Sequence, residues 1–278
     1  MKDLYSEVSY KCSKLVTTSY STSFSLGVSL LHSDFVLPIH AIYGFVRFAD
    51  EIVDTFHSHN KKELLDRFIK DTHDAISEKI SLNPILHSFQ HTVNKYNIDM
   101  ELIDTFLKSM SMDLDKSNHD QKSYEEYILG SAEVVGLMCL KIFVEGDEKQ
   151  YLELKHDAMK LGSAFQKINF LRDLKADVHT LGRAYFPGFE LGKFNGVTKK
   201  EIENDIQKDF EYGLRGIKQL PRKARLGVYL AYIYYYSLFK KIQNTKAEKV
   251  ISSRIRISDS KKYMLFMRSY LKHQLNMI

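Results

Sequence analysis

Four polar residues, Gln166, Asn169, Asp173 and Asp177, recur every three or four positions in the segment FQKINFLRDLKAD. At 100° per residue they fall at about 0°, 300°, 340° and 20°, one narrow stripe on a single helix face. Tyr43, Arg47, Asp50 and Asp54, in YGFVRFADEIVD, give about 0°, 40°, 340° and 20°. Each helix thus offers a carboxylate per turn on a line shared with an amide or a guanidinium. Carboxylates facing a helix interior are costly to desolvate without neutralising partners. Two such helices are best accommodated facing each other across the central cavity of an antiparallel bundle, with the remaining helices as apolar walls.

The donors in the stripes are carboxylate and amide oxygens, without Cys or His. That set suits a hard divalent ion, Mg²⁺ or else Mn²⁺, and argues against zinc. An acidic stripe alone reads equally well as a solvated face; a second stripe of the same spacing favours the paired reading. Other acidic groupings fail. Asp113-Leu114-Asp115 lacks the glycine and the twelfth-position Glu of a calcium loop, and the single Glu153/His156 pair falls short of a di-iron bundle.

Four prolines and thirteen glycines in 278 residues are too few for a turn-rich β-sandwich, so an all-α chain is expected. Hydrophobic periodicity places helices at about 3–19, 36–57, 61–78, 85–97, 99–115, 122–143, 148–178, 199–218, 222–245 and 260–276. The one extended break is 178–197, and with no repeat or linker the expectation is one helical domain over 1–278. The net charge of +5 is spread along the chain and gives no case for nucleic-acid binding. Cys12 and Cys139 cannot form a disulfide framework, which points to a reducing, cytoplasmic setting. The stretch MKDLYSEVSYKCSK lacks the apolar run of a signal peptide, and the longest apolar run, 35–49, is interrupted by Pro38, His40 and Arg47. The expectation is a soluble or membrane-peripheral protein with no obligate protein partner.

With its motifs in place, the chain resembles the phytoene and squalene synthase family, whose members join two prenyl diphosphates head to head. YSTSF (20–24) resembles the family's N-terminal Ser-x-Ser-Phe element, and YGFVRFADEIVD its first aspartate-rich motif. YILGSAEVVG (127–136) is similar to the helix lining the substrate channel, and FQKINFLRDLKAD with GRAYFP (165–187) to the second aspartate-rich motif and its flap. Glu133 stands where relatives often carry Gly, and Thr22 where some carry Lys.

The resemblance implies a helical isoprenoid-synthase bundle and a set of roles. Asp50, Asp54, Asn169, Asp173 and Asp177 would hold Mg²⁺, supported by Gln166. Arg47, Arg172 and Arg183 would bind phosphate oxygens, with Ser21 and Ser23 adding hydrogen bonds. Phe24, Phe45, Phe165, Phe170 and the tyrosines of YLAYIYYYSLF would offer π faces to cations, and Tyr43 on the first stripe would contact substrate. Tyr127, Tyr185 and Tyr235 resemble active-site tyrosines, and the final proton acceptor is left open.

The implied activity is condensation of two geranylgeranyl diphosphates to phytoene through a cyclopropylcarbinyl diphosphate. NADPH is not expected, given the likeness to carotenoid-pathway members and no C-terminal anchor after Ile278. The alternative is the same chemistry on farnesyl diphosphate, giving dehydrosqualene or squalene. A silent assembly factor would be the non-enzyme alternative, and intact metal ligands discriminate against it. Ser131, Ala132 and Gly136 would leave room for a long chain, whereas Phe165 and Met138 could close it.

Overall fold

The computed structural model describes residues 4–115, 119–176, 185–187 and 194–275. Asp177 and Arg183, together with most of the extended break, lie outside the described residues. The described chain is helical throughout. In order it runs α1 (Leu4–Tyr20), α2 (Thr22–Val28), α3 (Ser33–Asp54), α4 (Lys61–Glu78), α5 (Pro84–Tyr96), α6 (Met100–Asp115), α7 (Gln121–Ile128), α8 (Val134–Phe143), α9 (Glu148–Ala176), α10 (Gly196–Gln219), α11 (Arg222–Gln243), α12 (Ala247–Ser252) and α13 (Asp259–Gln274).

Local chemistry explains the boundaries. Asn60, Asn83 and Asn195 accept backbone N–H bonds at the starts of α4, α5 and α10, and Asp120 and Ser123 form a reciprocal cap on α7. Lys79 and Asn97 close α4 and α5 in the left-handed region, at φ 61° and 48°. Pro38 lies inside α3 and has no N–H to give the carbonyl of Asp34. The hydroxyl of Tyr96 donates to that carbonyl instead, at 3.3 Å, so the helix continues without an unpaired buried acceptor.

All ten expected helices are present, and three features were not expected. The short helices α2 and α12 occupy stretches read as connections. The single helix expected over 122–143 is interrupted by a π-helical turn, Leu129–Glu133, where the N–H of Val134 bonds to the carbonyl of Leu129. Close packing accompanies it: a Cβ on Gly162 of α9 would lie 2.6 Å from the carbonyl oxygen of Ala132, and one on Gly130 2.5 Å from Cβ of Ser109. Only glycine permits such approach, so helix spacing here depends on those positions.

The core joins α3, α5, α6, α8 and α9. Phe45 is fully buried, stacked 3.8 Å from Phe89 and packed on Phe68 and Phe106. It projects from α3 about 200° away from Tyr43, which corrects its expected role as a cation-facing ring. The long α9 lies antiparallel to α10, shown by the descending pairs Asp157–Arg215, Ser163–Asp209 and Lys167–Asp205. Burial works against the charge of Lys167, but Asp209 and Asp205 outweigh it and raise its pKa. None of the described helices is long and apolar enough to cross a membrane.

Candidate active site

All four residues of the first stripe lie on α3, which ends at Asp54. The ring of Tyr43 stacks 4.9 Å from Phe24 of α2. Ser21 caps α2 by accepting from the N–H of Phe24, and Ser23 lies half-buried in its first turn. The guanidinium of Arg47 sits 4.4 Å over the Tyr20 ring, is bonded to Glu51 and lies 4.0 Å from Asp50. Asp50 has a carboxyl pKa pushed up to about 7, by burial first and then by Asp54, against the pull of Arg47, with Asp113 adding to the rise. Its side chain keeps 33% exposure, so it lies deep in the bundle yet reachable by solvent.

The second stripe lies on α9. The amide of Asn169 donates to Gln166 at 3.4 Å, and the hydroxyl of Tyr235, from α11, donates to Asn169 at 3.3 Å. Phe165 stacks on Tyr235 at 4.1 Å. Asp173 accepts from Arg172 at 3.1 Å and from Arg254 at 2.7 Å. Burial opposes the charge of Arg172, but the hydrogen bonds to Asp173 outweigh it and hold its pKa above the ordinary value.

Asp113 of α6 links the two sides. It accepts from Tyr127 at 2.7 Å and from Tyr185 at 3.2 Å, and it acts electrostatically on Asp50. Tyr185 stacks 4.1 Å from Phe170 of α9, which also faces Tyr127. Burial, then Asp113, raises the phenol pKa of Tyr127 well above its ordinary value, and burial raises that of Tyr235. These hydroxyls are proton donors at neutral pH.

Asp113 and Arg254 were not anticipated. Asp113 had a detectable signal, since it continues the buried face of Ile103, Phe106 and Met110 at helical spacing. Arg254 lies between α12 and α13 in a segment without motif or period, and only tertiary packing brings it to Asp173.

Beside the stripes lies a cavity of about 260 Å³, walled by apolar and small residues including Phe24, Gly27, Ser131, Ala132, Gly136, Ala158, Phe165 and Gly227. Gln166 belongs both to its lining and to the second stripe, so the cavity reaches the polar groups. Ser131, Ala132, Gly136 and Phe165 line it as expected, whereas Met138 is fully buried elsewhere. Glu133, at the end of the π turn, is buried and accepts from Lys160 at 3.5 Å.

The sequence profile described as squalene/phytoene synthase matches residues 17–261. The chain belongs to the squalene/phytoene synthase family. Phytoene synthase 1, chloroplastic, of Solanum lycopersicum is 27% identical over an alignment covering 97% of this chain and 69% of that protein. Among solved structures, a dehydrosqualene synthase in complex with ligand superposes with a TM-score of 0.79 at 20% identity, covering 96% of this chain and 98% of that one. The squalene synthase HpnC of Alicyclobacillus acidocaldarius superposes with a TM-score of 0.76 at 19% identity, covering 87% and 95%. The fold is therefore the helical isoprenoid-synthase bundle, and the chain is a prenyltransferase.

The acidic side of this arrangement suits a hard cation. Burial, then Asp54, raises the pKa of Asp50 against the pull of Arg47, with Asp113 adding to the rise. Among the described residues, no three Asp, Glu, His or Cys side chains form a ready-made metal cage. Mg²⁺ commonly binds through one or two carboxylates, with water and substrate phosphate completing the shell, and that is the arrangement these residues fit.

Proposed function

We propose that this enzyme condenses two geranylgeranyl diphosphates to phytoene through a cyclopropylcarbinyl diphosphate, releasing diphosphate without NADPH. The observation that carries this reading is an apolar, glycine-walled cavity that reaches Gln166 on the stripe of α9, with carboxylates and arginines on α3 and α9. Prenyl tails fit the first and diphosphates the second. The choice of the twenty-carbon substrate is supported by likeness to the tomato phytoene synthase along 97% of the chain.

In this reading Asp50, Asp54, Asn169, Asp173 and Asp177 hold Mg²⁺, with Gln166 in support. The bound ion would supply Lewis-acid stabilisation of the charge that grows on departing diphosphate. Arg172 and Arg254, already gathered at Asp173, turn to the diphosphate oxygens when substrate arrives, joined by Arg47 and Arg183. Ser21 and Ser23 donate to the same oxygens. Phe24, Tyr43, Phe165 and Tyr235 present π faces to the allylic cation while the apolar cavity wall limits its contact with water. Tyr127 and Tyr185 donate to Asp113 and fix the position of its carboxyl group.

Competition between equal concentrations of geranylgeranyl and farnesyl diphosphate, with and without NADPH, tests the proposal. Phytoene is expected as the main hydrocarbon in both conditions. A thirty-carbon main product, or hydrocarbon release that depends on NADPH, would overturn the substrate assignment.

A further inference from the structure

The outer face of α13 is apolar and uncovered. Tyr263, Met264, Met267, Tyr270 and Leu271, followed by Leu275, are 41–69% exposed. On a helical projection they span about 140°, while Leu265 and Ser269 face inward and are buried. Lys261, Arg268 and Lys272 fall at about 160°, 140° and 180°, along one border of the apolar arc.

Residues 254–275 contain six Lys and Arg against one Asp, so this segment alone carries as much net positive charge as the whole chain, +5. The helix runs antiparallel along α11. Near its start Lys262 lies 5.7 Å over the Tyr234 ring, next to Tyr235 of the candidate site. Near its end, His273 sits beside Arg222 and Arg225. Gly227, Val228 and Ala231 of α11 line the cavity. The exposed arc is thus carried on a helix packed against one of the helices that wall the cavity.

We propose that α13 docks this enzyme in the interfacial layer of an anionic lipid bilayer, with its apolar arc inserted and Lys261, Arg268 and Lys272 at the headgroups. An apolar arc bordered by Lys and Arg is the pattern of helices that lie in a membrane interface. Tyr263 and Tyr270 add rings with polar tips, which favour that depth. Charge selects lipid over a second copy of the chain. A two-fold contact through the same patch would oppose two segments of equal positive charge, whereas anionic headgroups complement them. The inference is independent of prenyl chain length.

Sedimentation of the purified full chain with vesicles provides the test. Binding is expected to phosphatidylcholine vesicles containing phosphatidylglycerol, weakening as salt rises, with little binding to phosphatidylcholine alone. Met267→Asp combined with Leu271→Asp should lower partitioning at least about tenfold, the consequence of losing two inserted apolar side chains. Turnover of detergent-dispersed substrate and the circular dichroism spectrum should stay as in the parent. Because the chain has no Trp, Met264→Trp supplies a second readout that leaves the apolar face intact: its emission should shift to the blue with anionic vesicles. Equal binding to both vesicle types, unchanged partitioning of the double variant, an unshifted Trp spectrum, or a dimer that the double substitution splits would each overturn the proposal.

Discussion

The stripes on α3 and α9 share their spacing and differ in how their charge is met. On α3, Asp50 has Asp54 and Asp113 as neighbours, and Arg47 is bonded to Glu51 and stacked on Tyr20. Burial first, and then Asp54 and Asp113, push its carboxyl pKa up to about 7. On α9, Asp173 is held by both Arg172 and Arg254. One helix leaves a partly buried carboxyl beside other carboxylates, and the other holds its carboxylate between two arginines. Equal helical period therefore conceals opposite electrostatics, because the period sets the face and the neighbouring helices set the charge.

The largest expected effect removes what the stripes have in common. Excess chelator should abolish hydrocarbon formation and added Mg²⁺ should restore it; full turnover in a sample shown by elemental analysis to lack divalent metal would break the shared-cation reading. Next, Asp173→Asn should lower turnover at least about a hundredfold, on the scale of one strong transition-state contact. It should also destabilise the metal-free protein, since Arg172, 24% exposed, loses its main partner, at about 1–3 kcal/mol. Asp50→Asn should also lower turnover but raise the metal-free melting temperature. Like-signed stability changes in the two variants would erase the contrast.

Tyr127→Phe removes a donor from buried Asp113, and a hydrogen bond to a charged group contributes about 1.5–3 kcal/mol. Denaturant titration should report a loss of that size, with Tyr185→Phe losing less because its bond is longer. The pH dependence sharpens the comparison further. The native pKa of Asp50 is about 7 against 3.8 for the ordinary carboxyl, so between these values the native state binds more protons than the unfolded one. Stability of the metal-free protein should fall as pH rises through that window, by up to about 2 kcal/mol once solvent screening is allowed for. Thermal melts on the parent and on Asp50→Asn would show it, with the variant nearly flat and the stabilisation by Mg²⁺ growing toward pH 7. The smallest effect concerns the cavity: Ser131→Phe should shift preference toward farnesyl diphosphate by roughly tenfold, since each buried CH₂ contributes about 0.8 kcal/mol. An unchanged substrate ratio would place the chain-length determinant elsewhere.

The long helices were legible because their signal is local. Periodicity, Asn and Asp caps and the breaks at 57–60, 81–84 and 145–147 lie along the chain, and all ten expected helices formed. The short α2 and α12 escaped because six or seven residues leave little room for a period. The π turn escaped because it depends on how closely Gly130 and Gly162 let their helices pack. Met138 and Phe45 show the same limit, since residue type announces bulk and aromaticity without saying which wall they belong to.

The amino-acid sequence by itself determined which residues could share a helix face, and so the two carboxylate stripes, the helical class and the family motifs. Those follow from 3.6 residues per turn and from side-chain chemistry. Only the tertiary structure decided that Tyr235 meets Asn169, that Tyr127 and Tyr185 converge on Asp113, and that Arg254 reaches Asp173 across 81 positions. It also decided that the pKa of Asp50 would be raised and Asp173 paired. Contacts of that kind and the burial that tunes a carboxyl group arise from helices distant in sequence, and no local pattern encodes them.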